Sequence, residues 1–176
     1  PDAWTGKAIT LNKLGLHEEA LECCDKAIAV DSYLADAWII KGRIFANIGK
    51  GELAVPCFDQ ALKVRPEASD VIMEKGDILF NLKETEKALE CYSHVTSLHP
   101  GSTNAWLMKA LILLELDRFQ DAIDSVNNSL KLEGGQLAIA WACKGDAYFR
   151  MGRLSKAEKC FTKALSLEPQ YPFYLI

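Results

Sequence analysis

Apolar positions along this chain return with the period of an α-helix, and the whole pattern then repeats. Trp4, Lys7, Ala8 and Leu11 stand at i, i+3, i+4 and i+7, so they share one face of a first helix. Ala20, Cys24 and Ala27 do the same on a second helix. Further along, Trp4, Trp38, Ile72, Trp106 and Trp141 are spaced 34, 34, 34 and 35 residues apart. The same step links Ala8, Gly42, Gly76, Ala110 and Gly145, and it links Leu11, Phe45, Leu79, Leu113 and Tyr148. It also links Ala20, Ala54, Ala88, Ala122 and Ala157, then Cys24, Phe58, Tyr92, Val126 and Phe161, then Ala27, Ala61, Val95, Ser129 and Ala164. Each unit closes near a turn residue: Ser32, Pro66, Pro100, Gly134 or Pro169. The pattern predicts first helices near 2–14, 36–48, 70–82, 104–116 and 139–151, and second helices near 18–30, 52–64, 86–98, 120–132 and 155–167. One such pair cannot bury its own apolar face, so neighbouring pairs must stack.

These columns resemble the tetratricopeptide repeat family, whose pattern of an aromatic, a Leu-Gly pair, Tyr, Ala, Phe, Ala and Pro falls on the residues just named. The resemblance implies an all-α, right-handed α-solenoid of five helix–turn–helix units. They would span 1–34, 35–68, 69–102, 103–137 and 138–171, with 172–176 opening a truncated further helix and Leu175 standing where Trp would. There are departures. Where the family usually has Leu, every unit has Lys: Lys7, Lys41, Lys75, Lys109 and Lys144. Repeat four carries Ser129 and Gly134 in place of Ala and Pro, and its Gly134-Gly135 junction holds the one inserted residue. Pro56 falls inside a second helix, where it should kink or shorten it.

Composition narrows the function classes. The 176 residues are 49% hydrophobic, with 20 Lys and Arg against 24 Asp and Glu, for a net charge of −4. Non-specific affinity for phosphates comes from clustered cations, so nucleic acid is a poor partner, RNA-binding helical repeats included. No apolar run approaches the roughly 20 residues that cross a bilayer, so no membrane partner is expected. The opening Pro1-Asp2-Ala3-Trp4 reads as a fragment of a longer parent, whose uncapped ends could self-associate. The six cysteines have no disulfide spacing and read as reduced core thiols in a cytoplasmic setting. Cys91 and His94, at i and i+3, lack the further ligands that a metal site needs. With no Gly-rich phosphate loop and no His-Glu-x-x-His motif, neither cofactor nor catalysis is expected. The lysine column could be a basic stripe, but methylenes laid along the core edge with a wet ammonium is the better reading. Asp2, Asp36, Asp70 and Asn104, at the starts of first helices, are assigned to capping and to the helix dipole.

The functional candidate is the face of the first helices turned away from their second helices, which in proteins of this resemblance lines a concave groove. Transferred here, it includes Thr5, Ile9, Asn12 and Lys13 in the first unit, and Ile39 and Arg43 with Ala46 and Asn47 in the second. It continues with Met73, Asp77, Phe80 and Asn81, then Leu107, Leu111, Leu114 and Glu115, then Ile139, Ala142, Asp146, Phe149 and Arg150. The apolar members suggest a trough for a peptide or an amphipathic helix, with polar residues setting register. The competing readings are burial of these side chains between neighbouring first helices, and occupation by another part of the parent chain or by a second copy. Some members of the family clamp a chaperone's terminal carboxylate with paired Lys, Asn and Arg. The corresponding pairs here are Thr5/Ile9, Ile39/Arg43 and Met73/Asp77, so that clamp is not expected. The resulting expectation is a non-enzymatic protein–protein interaction scaffold, and the alternative is a regulatory or substrate-docking segment of a larger protein or enzyme.

Overall fold

A computed structural model of the chain describes residues 2–169. These residues form α1 (Asp2–Lys13), α2 (His17–Val30), α3 (Ala35–Asn47), α4 (Gly51–Val64), α5 (Ser69–Asn81), α6 (Thr85–Leu98), α7 (Thr103–Glu115), α8 (Phe119–Leu132), α9 (Ala138–Arg150) and α10 (Leu154–Leu167). No strand occurs among the described residues. Every boundary lies within one residue of its expected place; the further helix expected at 172–176 falls outside the described residues. The chain divides into two compact units, Pro1–Cys91 and Tyr92–Ile176. Pro56 does not shorten its helix: α4 keeps 14 residues, as α2 does. The proline removes a single bond, to the carbonyl four residues back, and it sits on the exposed side where water can replace it.

Packing inside each hairpin follows from the size of paired side chains. A Cβ added to Gly42 would lie 2.8 Å from the Phe58 ring, and one added to Gly145 would lie 2.6 Å from the Phe161 ring. Glycine therefore stands where the facing column carries a phenylalanine. Repeats one and four have alanine in that column, Ala8 and Ala110, and their facing residues are the smaller Cys24 and Val126. Ala8 and Cys24 share one buried cluster with Leu11, Ala20, Cys23, Ile40 and Ile44. Phe58 is fully buried with Ile39, Ala54, Ala61 and Val71. All six cysteines are free and buried. Burial pushes the thiols of Cys24 and Cys143 up to about 12, so they are protonated core groups at neutral pH. Ser129, fully buried in a column otherwise filled by Ala and Val, has a hydroxyl with no hydrogen-bond partner among the described residues.

The turn within each hairpin uses a column that escaped the sequence reading. Gly15, Gly49, Lys83, Asp117 and Gly152 all have positive φ, between 54° and 78°. The left-handed residue lets the next N–H turn back: Leu16 donates to the Leu11 carbonyl at 2.9 Å, Glu84 to Leu79 at 2.9 Å, and Arg153 to Tyr148 at 2.8 Å. These bonds satisfy carbonyls that the helix end would otherwise leave bare. Three turns use glycine, which adopts this backbone freely, whereas Lys83 carries a steric cost there. Lys83→Gly should stabilise the fold by about 1 kcal/mol, read from the urea midpoint. An unchanged or lowered midpoint would contradict this account of the turn.

The aromatic and lysine columns join one repeat to the next. Trp38, Trp106 and Trp141 donate Nε1–H to the carbonyls of Ser32, Pro100 and Gly135, at 2.9, 2.8 and 2.9 Å. Each indole thereby ties the start of a first helix to the loop before it. Above those rings lie Lys41, Lys109 and Lys144, their Nζ atoms 5.6, 5.3 and 5.3 Å from the centroids. Lys41 also pairs with Asp25 and Lys75 with Asp59, each at 2.5 Å, while Lys144 donates to Asn127 at 2.6 Å. In each pair the partner belongs to the preceding repeat's second helix. Lys41 and Lys144 are thus both ring-stacked and bonded to the preceding repeat, whereas among the described residues Lys75 makes only the inter-repeat pair and Lys109 only the ring contact.

The acids at the helix starts behave differently from expectation. The residues before α3 and α5, Leu34 and Ala68, make no side-chain cap. Asp36 and Asp70 lie inside the first turn, where they still complement the dipole, and their carboxylates reach Arg65 at 2.5 Å and Arg43 at 3.5 Å. A side-chain cap is made at α7, where the Ala105 N–H donates to Ser102 Oγ at 3.3 Å.

Candidate functional site

In the unit Pro1–Cys91, the expected face is carried by α1, α3 and α5. Its residues divide by how deeply the neighbouring helix covers them. Ile39 is only 6% exposed and packs with Phe58 and Val71 in the core, so neighbouring-helix burial is its fate. Met73 and Phe80 are half-buried, and Asp77, Asn81 and Ile9 are exposed. The Lys83 ammonium lies 5.9 Å from the Phe80 ring centroid. Arg43 reaches from α3 to α5, donating Nε to Glu74 at 2.8 Å and Nη2 to the same carboxylate at 2.5 Å. The forked contact and the nearby Asp70 raise the Arg43 guanidinium above its ordinary range, the hydrogen bond to Glu74 being the largest cause. A side chain expected to meet a ligand therefore already bridges two first helices. Glu74 was missed by the sequence reading; its signal is a column otherwise holding Gly6, Ile40, Met108 and Cys143, in which a carboxylate is out of place.

In the unit Tyr92–Ile176, α7 and α9 carry the face and touch each other. Leu107 and Leu114 are 8% and 5% exposed, so they too are core. Leu111, Ile139 and Ala142 are half-buried, while Phe149 is 46% exposed and Glu115 is exposed. Arg150 Nε lies 3.1 Å from Asp146 one turn back, and its Nη1 donates to the Leu114 carbonyl on α7 at 3.3 Å. Asp117 stands 3.9 Å from the same guanidinium. Phe149 therefore stands exposed at the end of α9, next in the chain to an arginine anchored to backbone and carboxylate.

Among the described residues no three His, Cys, Asp or Glu side chains come together as a metal set, and no helix is long and apolar enough to cross a membrane.

Comparison with known proteins gives a consistent result. Models of the tetratricopeptide repeat match residues 1–33 and 138–171, and a second such model matches 41–102 and 84–136. No curated protein matches the chain in sequence. Among solved structures, a MamA protein is similar at 17% identity and a TM-score of 0.88, over 99% of this chain and 97% of that one. YrrB, described as a TPR protein with an unusual peptide-binding site, is similar at 23% identity and a TM-score of 0.85, over 96% and 86%. MamA from Desulfovibrio magneticus RS-1 is similar at 22% identity and a TM-score of 0.84, over 97% and 96%. At these identities the likeness is one of fold.

Proposed function

The chain belongs to the tetratricopeptide repeat family, and from that premise we propose that it is a non-enzymatic interaction scaffold that holds a peptide or amphipathic helix of a partner protein against its first helices, in the cytoplasm. The observation that carries this reading is Phe149. It is a large aromatic side chain left half in water on a helix whose other face is packed, and it precedes Arg150, which pairs with Asp146. Aromatic anchors next to arginine are the groups that dominate protein interfaces. Within Tyr92–Ile176, half-buried Leu111 offers such a ligand partial contact; within Pro1–Cys91, half-buried Met73 and Phe80 are the corresponding apolar groups. YrrB's peptide-binding site lends the same fold a precedent for peptide capture.

The test compares capture from a cell lysate by the native chain and by Phe149→Asp and Leu111→Glu. Removing an aromatic anchor from an interface costs at least about 2 kcal/mol, or roughly thirtyfold in affinity. A partner held by the native chain should therefore be lost from both variants while their circular dichroism stays native. Equal capture by folded variants would remove this face from the account.

A further inference from the structure

We propose that Lys109 is the preferred site of lysine acylation among the inter-repeat lysines Lys41, Lys75, Lys109 and Lys144, taking small acyl groups carried as thioesters. The lysine column is not uniform in its partners. Lys41 and Lys75 meet Asp25 and Asp59, each 16 residues earlier on the preceding second helix, and Lys144 meets Asn127. Sixteen residues before Lys109 stands Ser93, so the position that supplies a carboxylate in two other repeats supplies none here. No ion pair to Lys109 occurs among the described residues. Its ammonium lies over the Trp106 ring and feels Arg118 and Asp121 at the start of α8. Burial first, and then the Arg118 charge, pull the amine below its ordinary range, with Asp121 opposing. Both leading causes enlarge the fraction present as the neutral, nucleophilic amine.

Access and tolerance point the same way. The acceptor position is open to solvent in the repeats where it is filled, since the Asp25 and Asp59 side chains are 60% and 45% exposed. At Lys109 that position holds the shorter Ser93, and both side chains are half-buried rather than enclosed. Acylating Lys41 or Lys75 would strip a carboxylate of its cation; acylating Lys109 strands no carboxylate and removes a like charge from Arg118. In the reaction the neutral Lys109 Nζ attacks the thioester carbonyl carbon. An amide C–N bond forms and the C–S bond breaks. The thiolate leaves with the bonding electrons, and the proton lost from nitrogen ends on the thiol or in water.

The experiment incubates the intact chain with an acetyl thioester of a small thiol and follows each lysine by peptide mass spectrometry. Initial acetylation of Lys109 should run several-fold faster than that of Lys41, Lys75 and Lys144. Ser93→Asp, which restores the carboxylate, should bring Lys109 into their range and leave the other rates unchanged. Arg118→Gln, an independent variant, should slow Lys109 in the same direction. Lys109 reacting no faster than its three counterparts overturns the proposal, as does an unchanged Lys109 rate in both variants with native circular dichroism.

Discussion

Phe58→Ala is expected to destabilise the chain by about 3–5 kcal/mol, measured by urea unfolding. The ring is fully buried among Ile39, Ala54, Ala61 and Val71, so its removal forfeits both the transfer free energy and the contacts of every atom lining the void. Gly42, which exists to make room for the ring, cannot fill the space it leaves. Nor can the hairpin close inward freely, because Trp38 packs against the same cluster while its indole N–H is held by the Ser32 carbonyl. A loss below about 1 kcal/mol would mean that the site collapses, and that the Gly42–Phe58 contact is not what holds repeat two together.

The second large effect is expected at the equivalent contact in repeat five. Gly145→Val places a branched side chain where even a Cβ would stand 2.6 Å from the Phe161 ring, a separation that forces the ring, or the helix carrying it, to move. Overpacking of this kind costs about 1–3 kcal/mol, more than the gain of up to about 1 kcal/mol from replacing glycine within a helix. The repeat pattern supplies its own control. Repeat four pairs Ala110 with Val126 in the same two columns. Gly145→Ala should therefore be destabilising with Phe161 present and close to neutral combined with Phe161→Val, a coupling of about 0.5–3 kcal/mol for residues in contact. Additive effects would show that the two columns do not set each other's size.

Most of the fold was legible because it is written in columns. Helix bounds fell within one residue, since Trp4, Ala8, Leu11, Ala20, Cys24 and Ala27 mark two faces that recur four times more. What the columns could not reveal was anything set by the distance between repeats. Ile39, Leu107 and Leu114 look like groove residues on a helical wheel, yet burial depends on how closely the next first helix approaches. The left-handed turn at Lys83 was hidden because lysine gives no signal of positive φ, although Gly15, Gly49 and Gly152 in the same column, and more weakly Asp117, do. Asp36 and Asp70 were placed at the right turn of the right helices, but their partners Arg65 and Arg43 lie 29 and 27 residues away, beyond any local pattern. Phe149, the residue on which the functional proposal leans most, was legible as an apolar residue off the core face.

Site-specific photocrosslinking addresses that proposal most directly. A photoreactive phenylalanine analogue is placed at Phe149 or Leu111 on the first helices, and at exposed Asp124 or Glu158 on the second helices. If the first-helix face holds the partner, the same protein should cross-link from positions 149 and 111 and not from 124 or 158. Cross-linking from the second helices alone would contradict the account and move recognition to the opposite surface.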